Sequence, residues 1–280
     1  MPEGIERIVV TTCERPPGEV MALAKGVSGR YGLPFVERKT ATLARLRREQ
    51  EANLLVASGE GLHYVTGRAI FRYHPGMARV RLHNLAKGRG DPMVQAMGLQ
   101  RGFSVLDCTL GLGSDAVVAG FAVGPEGRVV GVERCLPVYL VVSHGLAAYE
   151  EKTAVLRDAM RRIQAHWGDC AEYLSRVGEG EFDVIYFDPF FEEPVHASSG
   201  IAPLRAVAKG AGGSLDAALE EGRRKARLRV VVKGRPGSPF FSRHPFQRFF
   251  SGTRSRIQYG VIDRINPVPA LAPSSSLGSV

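Results

Sequence analysis

Four acidic side chains in this 280-residue chain share one local setting. Asp107, Glu133, Asp169 and Asp188 close the stretches SVLD, RVVGVE, RIQAHWGD and FDVIYFD. Short runs rich in Val and Ile read as buried strands, and the segments between them carry helical spacing. Strand and helix in alternation predict a parallel sheet covered on both faces. In such an open α/β sheet the carboxyl ends of the strands converge on a ligand crevice. The spacing therefore predicts four carboxylates along one rim, where they would accept hydrogen bonds from hydroxyl and amino groups and pair with a cation.

The first of these strands runs into Gly111-Leu112-Gly113-Ser114-Asp115-Ala116, a G-x-G-x-x-A turn that opens a helix. Glycine lets the backbone turn sharply and approach a ligand with no Cβ in the way. Glu133 follows Gly113 by twenty residues, a spacing suited to a carboxylate that accepts from both hydroxyls of a ribose. A nicotinamide enzyme needs the same two features, so they leave the cofactor class open. Asp107 separates the classes. It stands four positions ahead of Gly111, where nicotinamide sites keep an apolar residue, and a carboxylate there suits a ligand with a cationic amino group, such as the methionine part of S-adenosylmethionine. Thr109 can tie the loop or bind the ligand's carboxylate. Asp115, in the first helical turn, favours the helix dipole and is a further ligand candidate. Asp169 suits the adenine amino group, with the Cys170 backbone amide on the same ring; Asp169 also reads as the cap of the helix that follows.

Asp188-Pro189-Phe190-Phe191 ends the last of the four runs. The lone pair of an exocyclic amine is delocalised into its ring, so methyl transfer to that nitrogen requires a site that holds the amine in line with the donor. The Asp188 carboxylate and the Pro189 carbonyl can each accept one N–H, and Phe191 can stack on the base and fix its plane. An Asp-Pro turn beside two core phenylalanines is the structural alternative. Together the two motifs describe a methyltransferase, with a nicotinamide oxidoreductase and a non-catalytic RNA-binding protein as rivals from other classes.

Composition narrows the field. No apolar run approaches the roughly 20 residues of a membrane span, and MPEGIERIVV lacks the basic head and apolar stretch of a signal peptide, so a cytoplasmic protein is expected. The four cysteines, Cys13, Cys108, Cys135 and Cys170, form no CxxC pair, and the seven histidines form no triad or metal spacing; no metal is expected. Net charge is +9, and RRKARLRVVVKGR at 223–235 holds seven basic residues and no acid. Such clustering favours a polyanionic partner such as RNA. Trp167 is expected in the core or as a wall of the adenine pocket.

Three regions follow. Residues 1–80 read as a small α+β domain, with strands at IERIVVTTC, PFVERK, LLVAS, GLHYVTG and AIFRYH and helices at 19–32 and TATLARLRREQEA. Residues 81–99 link it to the alternating domain, which extends to 264, with a helix start at Asp91-Pro92. Within that domain a long helical stretch is expected from about Pro137 to Arg162, and a hairpin of RFFSG and RIQYGVIDRI at a sheet edge. Residues 265–280, rich in Pro, Ser and Ala, read as a disordered tail.

The motifs resemble the class I S-adenosylmethionine-dependent methyltransferases that modify amino groups and carry (Asn/Asp)-Pro-Pro-(Tyr/Phe). More narrowly, the chain is similar to the RsmJ-like guanine-N2 methyltransferases of small-subunit ribosomal RNA. Their Asp-x-Thr-x-Gly-x-Gly-x-Asp-Ala turn is matched by Asp107, Thr109, Gly111, Gly113, Asp115 and Ala116. Their Asp-Pro-Met-(Phe/Tyr)-Pro is met by Asp188, Pro189 and Phe191, their VVVK strand by Val230–Lys233, and their Gly-Arg-Gly-acid stretch by Gly88–Asp91. The resemblance implies a Rossmann-like sheet of seven strands, S-adenosylmethionine as cofactor, and transfer to guanine N2. Lys87, Arg89 and Lys233 are then candidates for contact with phosphate or the cofactor's carboxylate. The chain departs from the family at Phe190, which replaces Met, and at Glu192-Glu193, which set acid beside the acceptor slot. The same slot would serve a transfer RNA base or a protein amine.

Overall fold

The computed structural model describes residues 7–189, 215–253 and 255–264. Phe190, Phe191, Glu192-Glu193 and the tail from 265 lie outside the described residues. The amino-terminal region builds a four-stranded sheet in the order β1 (Ile8–Thr12), β2 (Asn53–Ser58), β3 (Gly61–Val65), β4 (Ile70–Arg72). β1 and β2 are parallel and the other pairs antiparallel. Helix α1 (Gly18–Tyr31) ends at Gly32 in the left-handed conformation. Helix α2 (Leu43–Gln50) is capped by Thr42, whose side chain accepts the Arg45 N–H at 3.2 Å. The strand expected at PFVERK is reduced to one bridge, between Val10 and Phe35. Pro34 has no N–H to extend the ladder and contributes only its carbonyl, which accepts from Val10 at 2.8 Å.

The stretch that reads as a linker is largely helical: α3 spans Met77–Ala86 and α4 spans Pro92–Met97. Asp91 caps α4 by accepting from the Met93 and Val94 amides at 3.0 and 3.1 Å, as the Asp-Pro start implies.

The second sheet contains β5 (Ser104–Asp107), β6 (Arg128–Glu133), β7 (Ile163–Trp167), β8 (Val184–Phe187), β9 (Arg229–Gly234), β10 (Arg248–Ser251) and β11 (Gln258–Asp263). Their order is β10-β11-β9-β8-β5-β6-β7, with β11 antiparallel to both neighbours and β5 through β9 all parallel. The antiparallel pair at one edge is the expected hairpin, with β11 inserted beside β9. Val105, Leu106, Val129, Val130, Val184, Ile185, Val231 and Val232 are fully buried, because helices cover both faces. Each such side chain contributes about 1.5–3 kcal/mol on leaving water. Chain order reverses at β5: β6 follows on one side while β8 lies on the other, which opens a crevice at their carboxyl ends.

The helical stretch expected from about Pro137 to Arg162 is made of two helices, α6 (Leu136–Ala148) and α7 (Ala154–Arg161). Glu151 makes the break. It is buried, accepts the Thr153 N–H at 3.0 Å and pairs with Arg79 of α3 at 2.6 Å. Helix α6 also meets the first sheet: a Cβ on Gly145 would lie 2.1 Å from the Tyr73 ring, so only glycine permits that approach. One continuous apolar cluster joins Leu55, Tyr64 and Phe71 to Leu140, Val141 and Leu146. Among the described residues no helix is long and apolar enough to cross a membrane, and no group of three His, Cys, Asp or Glu side chains is arranged to hold a metal ion.

Candidate active site

The turn after β5 is fixed by backbone bonds on both sides. Cys108 N–H donates to the Tyr186 carbonyl of β8 at 2.9 Å, and Leu110 N–H to the Val132 carbonyl of β6 at 3.0 Å. Gly111 and Gly113 have φ of 50° and 74°, the left-handed region in which a side chain is strained. Gly113 then caps α5 (Ser114–Val123). The Gly111 N–H donates to Glu133 at 3.0 Å, and the other Glu133 oxygen accepts the Cys135 N–H at 2.7 Å. Burial pushes Glu133 above its ordinary range, against those two bonds.

Asp107 is buried at the end of β5. Its Oδ1 accepts the Thr109 N–H at 3.0 Å and the Thr109 hydroxyl at 3.3 Å. The Thr109 Oγ1 in turn accepts the Asp188 N–H at 2.6 Å, so one threonine ties the rim acid of β5 to the backbone that follows β8. The charges that act on Asp107 belong to acids, Asp115 and Asp188. Burial, with those acids adding to it, pushes Asp107 up to about 8.

Asp115 is treated differently. Its Oδ1 receives Arg81, and its Oδ2 receives the Tyr186 hydroxyl at 2.8 Å and the Lys233 ammonium at 2.9 Å. Burial opposes its charge, but Lys233 and Arg81 outweigh burial and hold it well below the usual carboxylate range. Lys233 also reaches Asp188 Oδ2 at 2.7 Å. Burial acts against the ammonium too, and Asp115 and Asp188 overcome it, so Lys233 stays charged. Asp188 itself is raised, by burial first, with Lys233 pulling the other way.

The remaining candidates fall outside this cluster. Asp169 caps α8 (Cys170–Arg176) by accepting from Ala171 and Glu172 at 2.8 and 3.3 Å, and it lies 3.5 Å from Arg134. Cys170 is the first residue of that helix, half-buried, its thiol raised by burial. Lys87 and Arg89 are exposed in the turn between α3 and α4, where Arg89 donates to Asn84 at 3.3 Å. Pro189 follows Asp188 beyond the carboxyl end of β8, the end of the sheet at which the turn after β5 also lies.

Two readings from sequence change. Trp167 is not a core residue: it is 51% exposed, packs edge-on to Tyr31 at 5.9 Å and donates its indole N–H to the Arg134 carbonyl at 3.1 Å. The basic run at 223–235 is not an open phosphate-binding face. Arg223 pairs with Glu220, Arg224 with Glu221, Arg227 with Asp183 and Arg229 with Asp263, acids both near and far in sequence. A cavity of about 770 Å³ among those pairs lies at the opposite end of β9 from Lys233, away from the crevice. Two residues of the site, Arg81 and Tyr186, are not singled out by sequence alone. Arg81 sits in the stretch that reads as linker; Tyr186 is the one polar group within VIYF, a signal that a buried partner awaits it.

The donor set fits S-adenosylmethionine. Asp107 is a buried carboxylate held by hydrogen bonds yet without a cationic partner among the described residues, and the turn beside it presents two glycines with no Cβ. A ligand ammonium supplies what Asp107 lacks, and Glu133 beside Gly111 suits a ribose. Sheet order, glycine turn and acid rim together define a Rossmann-like class I methyltransferase. The family model "Putative SAM-dependent methyltransferase" matches residues 36–257. "Uncharacterized protein YpiP" of Bacillus subtilis is 40% identical over 260 residues, which cover 91% of this chain and 98% of that protein. "Ribosomal RNA small subunit methyltransferase J" of Chromohalobacter salexigens is 33% identical over 218 residues, covering 75% of this chain and 82% of the relative. A crystal structure of a SAM-dependent methyltransferase from Neisseria gonorrhoeae superposes with a TM-score of 0.62 at 17% identity, over 92% of this chain and 96% of that one, and so shares the fold. The chain belongs to the RsmJ-like family of S-adenosylmethionine-dependent methyltransferases, and S-adenosylmethionine is its cofactor.

Proposed function

We propose that this protein methylates an exocyclic amine, and that the amine is guanine N2 of small-subunit ribosomal RNA. The observation that carries the reading is the Thr109 bridge, which sets Asp188 directly beside Asp107. A donor held by its ammonium at Asp107 then lies next to a carboxylate and a proline carbonyl that accept N–H groups. The relatives named for small-subunit ribosomal RNA methylation in Chromohalobacter and Shewanella, at 33% and 32% identity, support the choice of substrate, and a net charge of +9 suits a phosphate backbone.

When bound, S-adenosylmethionine supplies a methyl group activated on a sulfonium. Asp107 would hold its ammonium, Glu133 its ribose, and Asp169 with the Cys170 amide its adenine. On the other side Asp188 and the Pro189 carbonyl would each accept one N–H, which turns the nitrogen lone pair toward the donor. Phe191 would stack on the base. The proton released from nitrogen passes to Asp188 or to water, so the site acts through positioning more than through a strong base.

Mass mapping of ribosomal RNA nucleosides from a strain lacking the gene tests the substrate. We expect one N2-methylguanosine to be missing from the small subunit and restored by purified protein; an unchanged map overturns the assignment to ribosomal RNA. Asp188→Ala tests the site: transfer falls by about 10³-fold while calorimetry shows S-adenosylmethionine affinity changed by less than about threefold. Lost cofactor affinity would place Asp188 on the donor side instead.

A further inference from the structure

Lys233 does more in this fold than its place in a basic run implies. We propose that Lys233 is a positioning residue, which clamps the Asp188 carboxylate for the acceptor amine and is itself held by Asp115, the acid that Arg81 anchors. The proposal rests on the reading of Asp188 as the acceptor-side acid.

The geometry forms a closed chain. Lys233 Nζ lies 2.7 Å from Asp188 Oδ2 and 2.9 Å from Asp115 Oδ2, so two of its three hydrogens are committed to carboxylates. Asp115 cannot follow Lys233 elsewhere, because Tyr186 and Arg81 hold it. Arg81 is fixed in turn by Asp91, at 2.8 and 2.9 Å. Tyr259, buried on β11 and paired with Lys233 in the sheet, closes the remaining side. The ammonium is therefore immobilised over one oxygen of Asp188. The backbone N–H of Asp188 is pinned by Thr109. With both ends fixed, the carboxylate cannot rotate freely, and Oδ1 accepts no hydrogen bond among the described residues. That oxygen is the one available to an incoming N–H.

Lys233 is also needed for charge. Among the described residues the groups that face Asp188 are Lys233 from β9, Asp115 from α5, Arg81 from α3 and Asp107 from β5, with the Tyr186 and Tyr259 hydroxyls beside them. Without the ammonium, Asp188 would stand near two other acids and would take up a proton or turn out of the slot. A protonated carboxyl no longer attracts an N–H as an anion does.

The test is the Lys233→Met variant, assayed by tritiated-methyl transfer to RNA from a strain lacking the gene. We expect kcat to fall by about 30-fold or more with S-adenosylmethionine affinity changed by less than about threefold. The acidic limb of the kcat–pH profile should move to higher pH, because Asp188 loses its positive neighbour. Lys233→Arg should return part of the rate and leave the limb near its wild-type position. In an Asp188→Asn background, Lys233→Met should cost less than about threefold, since the partner it acts on has gone. Lys233→Gln, which keeps chain length and an N–H, gives the same pH readout if Lys233→Met melts below the assay temperature. An unmoved limb, equal losses in both backgrounds, or a fall in cofactor affinity overturns the proposal. A damaging Asp188→Asn with a harmless Lys233→Met removes this inference alone; a harmless Asp188→Asn removes the acceptor reading beneath it.

Discussion

Asp107 and Asp115 flank the same glycine turn, eight residues apart, and both are withdrawn from water. Their surroundings are opposite. Asp115 has two cations and a tyrosine hydroxyl from three other elements. Asp107 has a threonine and, around it, further acids. Burying a carboxylate is costly in either place, but at Asp115 the fold itself offsets the cost, whereas at Asp107 the offset is left to a ligand. The difference separates an acid that builds the site from an acid that waits for a cation.

The largest effect should come from breaking the compensated side. Asp115→Asn removes the one anion that Arg81 and Lys233 share, leaving them only Asp91 and Asp188 in a poorly hydrated place, and should destabilise the protein by about 3–5 kcal/mol, a fall of roughly 10 °C in Tm by calorimetric melting. A loss under about 1 kcal/mol would mean that Asp91 and Asp188 suffice for the two cations.

Asp107→Asn should do the reverse. It should leave the ligand-free protein as stable or more so, while lowering S-adenosylmethionine affinity by roughly 10- to 100-fold in calorimetry. The pH dependence sharpens the point. Between the ordinary carboxylate range and about 8, Asp107 keeps its proton in the folded protein and loses it in the unfolded chain. Folding then takes up a proton, so stability falls as pH rises through that window, by at most about 1.4 kcal/mol per pH unit, and levels off above it. Asp107→Asn should flatten this slope in denaturant titrations; an unaltered slope would place its origin elsewhere.

Thr109→Val severs the bridge between the two sides and leaves the Asp188 N–H without its acceptor. A cost of about 1–2 kcal/mol in stability and a roughly tenfold loss of kcat are expected, with Thr109→Ser close to wild type. The smallest effects belong to the exposed turn. Lys87→Ala and Arg89→Ala should leave cofactor binding alone, raise the KM for RNA a few-fold, and reduce the salt dependence of RNA binding by about one counterion each. Strong loss of transfer in either would bring that turn into the site.

The tie of Thr109 to Asp107, the Asp-Pro cap of α4 and the acids at the ends of β5, β6 and β8 are legible in the amino-acid sequence, since each depends on close neighbours in the chain; the reach of the same hydroxyl to Asp188 is not. The helix break at Glu151 is not, because its anchor, Arg79, lies more than seventy residues away. Nor is the exposure of Trp167, which follows from β7 forming the sheet edge.

Sequence by itself determined the alternation of strand and helix, the glycine turn and the succession of acids along one rim, because strand burial and turn conformation are written in residues a few positions apart. Tertiary structure decided what each charge does. Lys233 and Arg227 belong to one basic run, yet one is locked beside Asp188 and the other pairs with Asp183. A charged side chain's role is set by the partner it meets and the water it loses, and both are fixed only when distant strands and helices pack together.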